Sequence, residues 1–176
     1  FNEGSLRRDL WPADWPPPDD FGLSEDGSLL KPARVDLIDM NQLEAHLELR
    51  NLIYRYAIGS TNDELTTIAQ RQSIDKALVM AECQTSGKGR RGRSWASPFA
   101  RNLAFSYGIR SSRPIAQLGG LSLVTGLAVT EALAAISTEK LTLKWPNDVV
   151  CGENKLCGIL VELVSHAEVV LSLIHI

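Results

Sequence analysis

A nine-residue segment, Gly87 to Trp95, combines residue types that bind anions. It holds Lys88, Arg90, Arg91 and Arg93, four cations within six positions, together with three glycines. Cations this close repel one another, and glycines let a backbone approach a ligand closely, so the segment suits a negatively charged ligand such as a phosphate. A solvated basic loop without a ligand is the plainer interpretation, because charge runs are common on protein surfaces.

The charge around this segment is unusual for an acidic chain. The formal net charge is −3, which argues against a protein that wraps nucleic acid over its whole surface. No Asp or Glu stands between Glu82 and Glu131, although this interval holds seven cations: Lys88, Arg90, Arg91, Arg93, Arg101, Arg110 and Arg113. The positive charge is therefore concentrated in one stretch of sequence.

Neither of the two common phosphate-binding motifs fits the segment. Gly87, Gly89 and Gly92 match G-x-G-x-x-G literally, and a predicted strand precedes them. However, residues 94–98 do not open a helix, and no acidic residue follows about 20 positions later to hold a ribose hydroxyl. A P-loop is excluded as well, because no Ser or Thr follows Lys88. Any phosphate would be bound in another way.

Three motifs together resemble the signatures of biotin protein ligases. The stretch from Gln84 to Trp95 is similar to the basic signature loop of that family. Residues 144–148 (Lys-Trp-Pro-Asn-Asp) and 155–162 resemble its second signature, and residues 60–62 (Ser-Thr-Asn) resemble its third. The motifs occur in the family's order. The resemblance therefore implies the front part of a catalytic domain that activates biotin with ATP and transfers it to a lysine of a biotin carboxyl carrier protein.

The resemblance also implies roles for individual residues, with Arg90 and Lys155 as the catalytic ones. The expected biotin contacts are Ser60, Thr61, Asn62, Gln84, Lys88, Gly89, Arg90 and Lys155. The expected contacts to ATP or the adenylate are Gly87, Arg90, Arg91, Arg93, Trp95, Asn147 and Asp148. Mg²⁺ is expected with ATP, and Asp148 is its candidate ligand, although no metal site is certain. Lys88 stands where the family usually has arginine, which keeps the charge but loses the bidentate fork.

Each of these residues also has a purely structural interpretation. Ser60 and Thr61 could only cap a helix, Trp95 and Trp145 could be core, and Asn147 with Asp148 could only form a turn. A lipoate or octanoate ligase relative and an inactive fragment are the alternative functions. A DNA-binding repressor is not expected from this chain, because residues 1–33 contain no recognisable pair of helices joined by a tight turn.

The surrounding pattern predicts an α+β fold, with a mixed, mainly antiparallel sheet and helices on one face, which is also the fold that the resemblance implies. Apolar spacing predicts helices near 41–48, 61–72 and 116–136, the second with a capping box from Thr61 to Glu64. The predicted strands are 52–58, 77–82, 101–110, 141–145, 148–151 and 156–164.

The predicted domain organisation has three parts. Residues 1–33 are expected to be an irregular segment or linker remnant, and residues 34–170 the front part of the catalytic domain. Residues 171–176 read like a translated adapter from sequencing-library preparation and are expected to be a non-native tail. Because the chain starts at Phe1 and stops early for this family, we expect it to be truncated at both ends, with homodimerisation of the full-length protein left open.

Composition further limits the class of protein. The three cysteines, Cys83, Cys151 and Cys157, form no C-x-x-C pair, which favours a reducing cytoplasm over a disulfide framework. No uninterrupted apolar run of about 18 residues is present to cross a membrane.

Overall fold

The computed structural model describes residues 5–6, 22–23, 29–30, 36–164 and 169–175, with side chains from 36 to 163 except that of Ile115. The helices are α1 (Met40–His46), α2 (Thr61–Ala69) and α3 (Leu121–Ala134). Short 3₁₀ turns lie at Arg90–Gly92 and Ile115–Gln117. In the described part of the chain, no helix is both long enough and apolar enough to span a bilayer.

The strands form two sheets. Near the start of the chain, β1 (Ser5–Leu6), β2 (Gly22–Leu23) and β3 (Leu29–Leu30) form a small antiparallel sheet in the order β1-β3-β2. Most of the predicted irregular segment, residues 1–33, lies outside the described residues.

The main sheet has seven strands in the order β4-β5-β6-β10-β9-β8-β7. They are β4 (Asn51–Arg55), β5 (Ala77–Ala81), β6 (Ala104–Arg110), β7 (Leu141–Lys144), β8 (Asp148–Cys151), β9 (Asn154–Val164) and β10 (Val169–His175). Only β4 and β5 pair in parallel, and every other neighbouring pair is antiparallel. The predicted α+β class with a mixed, mainly antiparallel sheet is therefore confirmed. The pairing of β10 does not test the prediction that residues 171–176 are a non-native tail.

Alternation along the strands separates the two faces of this sheet. Val79 pairs with Ser106, and their neighbours Met80 and Phe105 also pair. Directly paired residues share a face and successive residues alternate, so one face carries Val79 and Ser106 and the other carries Met80 and Phe105. We call these the Val79 face and the Met80 face.

The two longer helices pack on opposite faces. Leu65 of α2 is fully buried in a cluster with Val79. Val129 of α3 packs against the cluster that also holds Phe105, on the Met80 face. The prediction that both helices cover one face is therefore wrong. Apolar periodicity shows that a helix packs on a sheet, but it does not show which face the helix covers.

The helix boundaries differ from the predicted ones for local reasons. Ser60, not Thr61, caps α2: its side chain accepts a hydrogen bond from the Asp63 backbone N–H at 3.5 Å, while Thr61 is the first helical residue. α3 begins at Leu121 rather than at 116, because Gly119 and Gly120 precede it and glycine is a poor helix former.

Glu82, which directly follows β5, joins several segments near the site. Its buried carboxylate accepts hydrogen bonds from the Tyr54 hydroxyl and, at 2.8 Å, from the Ile38 backbone N–H. Its carbonyl accepts a hydrogen bond from the Ala100 backbone N–H at 3.0 Å, so Glu82 also closes the long loop between β5 and β6. Burial raises the pKa of Glu82, and the two hydrogen bonds only partly oppose this shift.

We predict that Glu82→Gln changes how stability depends on pH. A carboxyl group whose pKa is raised in the folded state stabilises the fold below its unfolded pKa and loses that contribution as pH rises through the folded pKa. The free energy of unfolding of Glu82→Gln minus that of the parent should therefore become more positive between about pH 5 and about pH 7.5, because only the parent loses the contribution of this carboxyl group as pH rises. Urea unfolding of both proteins at the two pH values measures these free energies. If the value for the variant minus that for the parent stays constant or becomes more negative from the lower to the higher pH, the prediction is wrong.

Candidate active site

Buried hydrogen bonds connect the start of α2 with β5 and β6. Gln84 Oε1 accepts from the Thr61 backbone N–H at 2.8 Å and from Thr61 Oγ1 at 3.0 Å. Ser106 Oγ donates to Thr61 Oγ1 at 2.8 Å. Ser60, Thr61, Gln84 and Ser106 are all buried. Sequence analysis missed Ser106, although its place on the small-residue face of the predicted strand could have indicated it.

Asn62 lies beside this network and has an unused acceptor. Its side chain is 1% exposed, and its Nδ2 donates to the carboxylate of Glu162 on β9. Its Oδ1 is buried and has no hydrogen-bond partner among the residues that the structure describes. Buried polar atoms are nearly always paired, so this oxygen is suited to accept a hydrogen bond from a ligand.

The basic loop is folded as a closed turn beside these residues. The Ser86 backbone N–H donates to the Gly59 carbonyl, and the Trp95 N–H donates to the Gly87 carbonyl, both at 2.8 Å. A Cβ on Gly87 would lie 2.8 Å from the Trp95 carbonyl oxygen, so this close approach requires glycine. Gly87 is buried, whereas Lys88 and residues 91–94 are exposed.

Four cations surround a cavity of about 190 Å³. It is lined by residues from the loop and from β9, with no carboxylate among them: Lys88, Gly89, Arg90, Arg93, Ser94, Trp95, Asn147, Lys155, Gly158, Ile159 and Leu160. Such a cavity favours an anionic ligand, because four cations line it while the carboxylates that pair with Lys88 and Lys155 lie outside its lining. Arg91 is exposed and does not line it.

Two contacts hold Lys155 at this cavity. Its Nζ lies 2.7 Å from Asp148 Oδ1 and 4.9 Å from the centroid of the Trp95 ring. Gly158 lies against both side chains, since a Cβ there would lie 3.0 Å from Trp95 Cζ3 and 3.1 Å from Lys155 Nζ. Lys155 is therefore fixed by a carboxylate and an aromatic face rather than extended into solvent.

Arg90 is held through Asn147. Arg90 Nη1 donates to Asn147 Oδ1 at 3.2 Å, and Asn147 Nδ2 donates to the Ile159 carbonyl at 2.7 Å. The Ile159 N–H donates in return to the Asn147 carbonyl at 2.9 Å. Asn147 therefore does more than form a turn: it fixes an arginine of the loop to β9.

A second cavity of about 390 Å³ shares Arg90 and Asn147 with the first. Its other walls come from β9, from the start of α3 and from Trp145 and Pro146, which are joined by a cis peptide bond. Trp145 is 78% exposed, so the interpretation of this tryptophan as core is wrong.

The described residues do not form a metal site. No group of three or more His, Cys, Asp or Glu side chains converges within them. Asp148, the candidate ligand, is paired with the Lys155 ammonium. A divalent cation would have to displace that ammonium, so the residues present do not fit Mg²⁺ held by the protein alone.

The two buried thiols nearby do not suit nucleophilic chemistry. Burial raises the pKa of Cys83 and of Cys157 to about 12, so both remain protonated at neutral pH. Cys151 is free as well. What the site offers is hydrogen bonds and positive charge.

Comparison with known proteins agrees with this combination of fold and site. Residues 54–176 match the Biotin/lipoate A/B protein ligase family. The chain therefore belongs to the Biotin/lipoate A/B protein ligase family. Among curated relatives, the bifunctional ligase/repressor BirA of Salmonella typhimurium is 40% identical over 133 residues, covering 75% of this chain and 41% of that protein. The Biotin--[acetyl-CoA-carboxylase] ligase of Mycobacterium tuberculosis is 43% identical over 110 residues, covering 60% and 41%.

Solved structures are similar over the same region. Biotin protein ligase from Aquifex aeolicus in complex with biotin and ATP has a TM-score of 0.61 and 34% identity, covering 73% of this chain and 52% of that one. The Leishmania major enzyme in complex with biotinyl-5-AMP has a TM-score of 0.62 and 25% identity, covering 72% and 57%. The chain thus spans 41% of those two curated relatives and about half of these solved chains.

We predict that Asn147→Ala destabilises the fold and loosens the loop. The substitution leaves the Ile159 carbonyl without its side-chain donor and Arg90 without its acceptor. Loss of these partly buried hydrogen bonds should reduce stability by roughly 1 to 2 kcal/mol. Urea unfolding measures the change, with the exposed Asn154→Ala as a control expected within about 0.5 kcal/mol of the parent. Equal stability of the two variants would show that Asn147 is not an anchor.

Proposed function

We propose that this chain is the front part of the catalytic domain of a biotin protein ligase. It would activate biotin with ATP to biotinyl-5′-AMP and transfer biotin to a lysine of a biotin carboxyl carrier protein. The observation that carries the proposal is a buried set of uncharged hydrogen-bonding groups at the start of α2, next to a cavity with four cations. Biotin has two parts that complement these groups: an uncharged ureido ring for the hydrogen-bonding groups and a carboxylate for the cations.

The uncharged part of the site suits the ureido ring. Ser60, Thr61, Asn62 and Gln84 supply hydroxyl and amide groups that are shielded from water. Asn62 Oδ1 in particular is a buried acceptor without a partner, and a ureido N–H is a matching donor. A ligand that satisfies such a group gains specificity, because an analogue without the N–H leaves the oxygen unpaired.

The cationic part suits the reaction at the carboxylate. In the adenylation step a biotin carboxylate oxygen forms a bond to the α-phosphorus of ATP, and the bond from that phosphorus to the departing pyrophosphate breaks. Two anionic groups must approach each other, and Lys88, Arg90, Arg93 and Lys155 would offset the charge that gathers on the phosphoryl oxygens. Gly87 and Gly89 let the loop backbone come close, while Trp95 and Asn147 hold Lys155 and Arg90 in place.

The second step needs no nucleophile from this chain. The amine of the acceptor lysine attacks the acyl carbon of the adenylate, an amide bond forms, and AMP leaves with the electron pair of the mixed anhydride. The carrier protein supplies this lysine, in keeping with the carboxylase named in the M. tuberculosis relative. Mg²⁺ does not fit a protein-made site here and would arrive bound to the triphosphate. The cytoplasm, where thiols stay reduced, is the compartment that this function favours.

Biotin binding by the chain itself tests this proposal. Calorimetric titration should show saturable binding of biotin, and adding ATP should release pyrophosphate and yield biotinyl-5′-AMP. Lipoate in place of biotin is the control for the related ligases of the family and should not compete. Absence of biotin binding by the folded chain would refute the proposal for this chain, and a preference for lipoate would replace it with a lipoate ligase.

Two substitutions should affect different steps. Arg90→Gly removes a cation at the phosphate end and leaves Ser60, Thr61 and Gln84 in place, so the adenylate should form but escape about ten- to a hundredfold more readily, the effect of losing a contact worth roughly 1.5 to 3 kcal/mol. Lys155→Ala removes the cation that we place nearest the reacting carboxylate, so adenylation itself should slow.

The two steps are separable by measurement. Pyrophosphate release reports adenylation, and dissociation of labelled biotinyl-5′-AMP reports retention. If both variants lost both steps equally, the division of roles between Arg90 and Lys155 would be wrong. Because the chain spans 41% of the bifunctional ligase/repressor BirA of Salmonella typhimurium, these measurements are best made on a version of the protein extended to the length of that relative.

A further inference from the structure

Lys88 of the basic loop forms an ion pair with the carboxylate of Asp63 in α2. Lys88 Nζ lies 2.8 Å from Asp63 Oδ1 and 2.6 Å from Asp63 Oδ2. Lys88 lines the cationic cavity, whereas Asp63 does not. The carboxylate therefore contacts the lysine from outside the set of residues that line the cavity.

This ion pair is too exposed to contribute much to folding. The Lys88 and Asp63 side chains are 49% and 54% exposed, and ion pairs of this kind stabilise proteins little. Its consequence lies in the position of the lysine. A lysine carries a compact charge on a flexible four-carbon stem, whereas arginine presents a rigid planar fork. Without a second contact, the charge of Lys88 would be spread over many positions around the cavity mouth.

Asp63 is itself well fixed. Its backbone N–H donates to the Ser60 side chain at 3.5 Å, and its carbonyl accepts from Thr67 Oγ1 at 2.9 Å. Asp63 follows directly after Thr61 and Asn62, which are fully buried at the start of the helix. One helical turn therefore carries two proposed biotin contacts and the acid that holds the lysine.

We propose that Asp63 is a positioning residue that orients Lys88 toward the carboxylate of the bound ligand. This inference rests on the proposed function. The contact with Asp63 restricts the position of the Lys88 ammonium, whereas the rigid planar guanidinium of an arginine would need less outside support. The Asp63 hydrogen bond also raises the pKa of Lys88, as expected for an ammonium paired with a carboxylate.

Asp63→Asn tests the role of the carboxylate. Asparagine has the same shape as aspartate but no charge. The substitution should therefore remove the ion pair with Lys88 and keep the backbone hydrogen bond from residue 63 to Ser60. We expect the Kd for biotin to rise about two- to fivefold, the range for an exposed ion pair, with no change in Tm beyond that of the control. The control is Glu64→Gln, which removes one negative charge from the same first turn and should leave biotin affinity unchanged.

A double-mutant cycle separates positioning from a general structural effect. In a Lys88→Met background, Asp63→Asn should have no further effect on the Kd for biotin, because there is no ammonium left to orient. An equal effect in both backgrounds would overturn the inference. So would an Asp63→Asn variant that binds biotin as tightly as the parent, or more tightly, since Asp63 would then be irrelevant or a competitor of the ligand.

These outcomes differ from failure of the proposed function. If the parent chain does not bind biotin at all, the proposed function fails. If the parent binds biotin and the Asp63→Asn and Glu64→Gln variants have the same Kd for biotin, the proposed function stands and only the proposed role of Asp63 is refuted.

Discussion

Gln84 Oε1 accepts two hydrogen bonds from Thr61, and this pairing joins the first turn of α2 to the segment that follows β5. The bonds are buried, so breaking one would leave a polar group without water or a partner, which is costly. Ser106 extends the pairing to β6. The positions of Asn62, of Asp63 and of the start of the basic loop all follow from it, because each lies within a few residues of Thr61 or Gln84.

The second constraint is mutual repulsion among the cations. Lys88, Arg90 and Lys155 are each held by a different partner, namely Asp63, Asn147 and Asp148. Those partners belong to α2, to the turn before β8 and to β8. These three cations are thus fixed by different parts of the chain. Two carboxylates pair with four lining cations, so the cavity retains a net positive charge.

Sequence patterns predicted the elements well and their three-dimensional relations less well. The alternation in 101–110 predicted a strand whose small residues face one side, and Ser106 and Gly108 are indeed buried. The motifs indicated Gln84, the loop and Lys155, which the fold brings together. The face covered by α3 and the ion pair between Asp63 and Lys88 were not predictable, because each depends on contacts between elements whose relative placement no single periodicity specifies.

The main sheet acts as a partition. The Val79 face carries α2 and the polar groups that we assign to the ligand, whereas α3 lies behind the sheet with Val124 and Leu127 largely exposed. A fluorophore or cross-linker attached at Leu127, which lies further along α3 than the residues that line the second cavity, would therefore report from the Met80 face. Such a handle would allow the chain to be immobilised on a surface in one orientation, with the cationic cavity facing the solution.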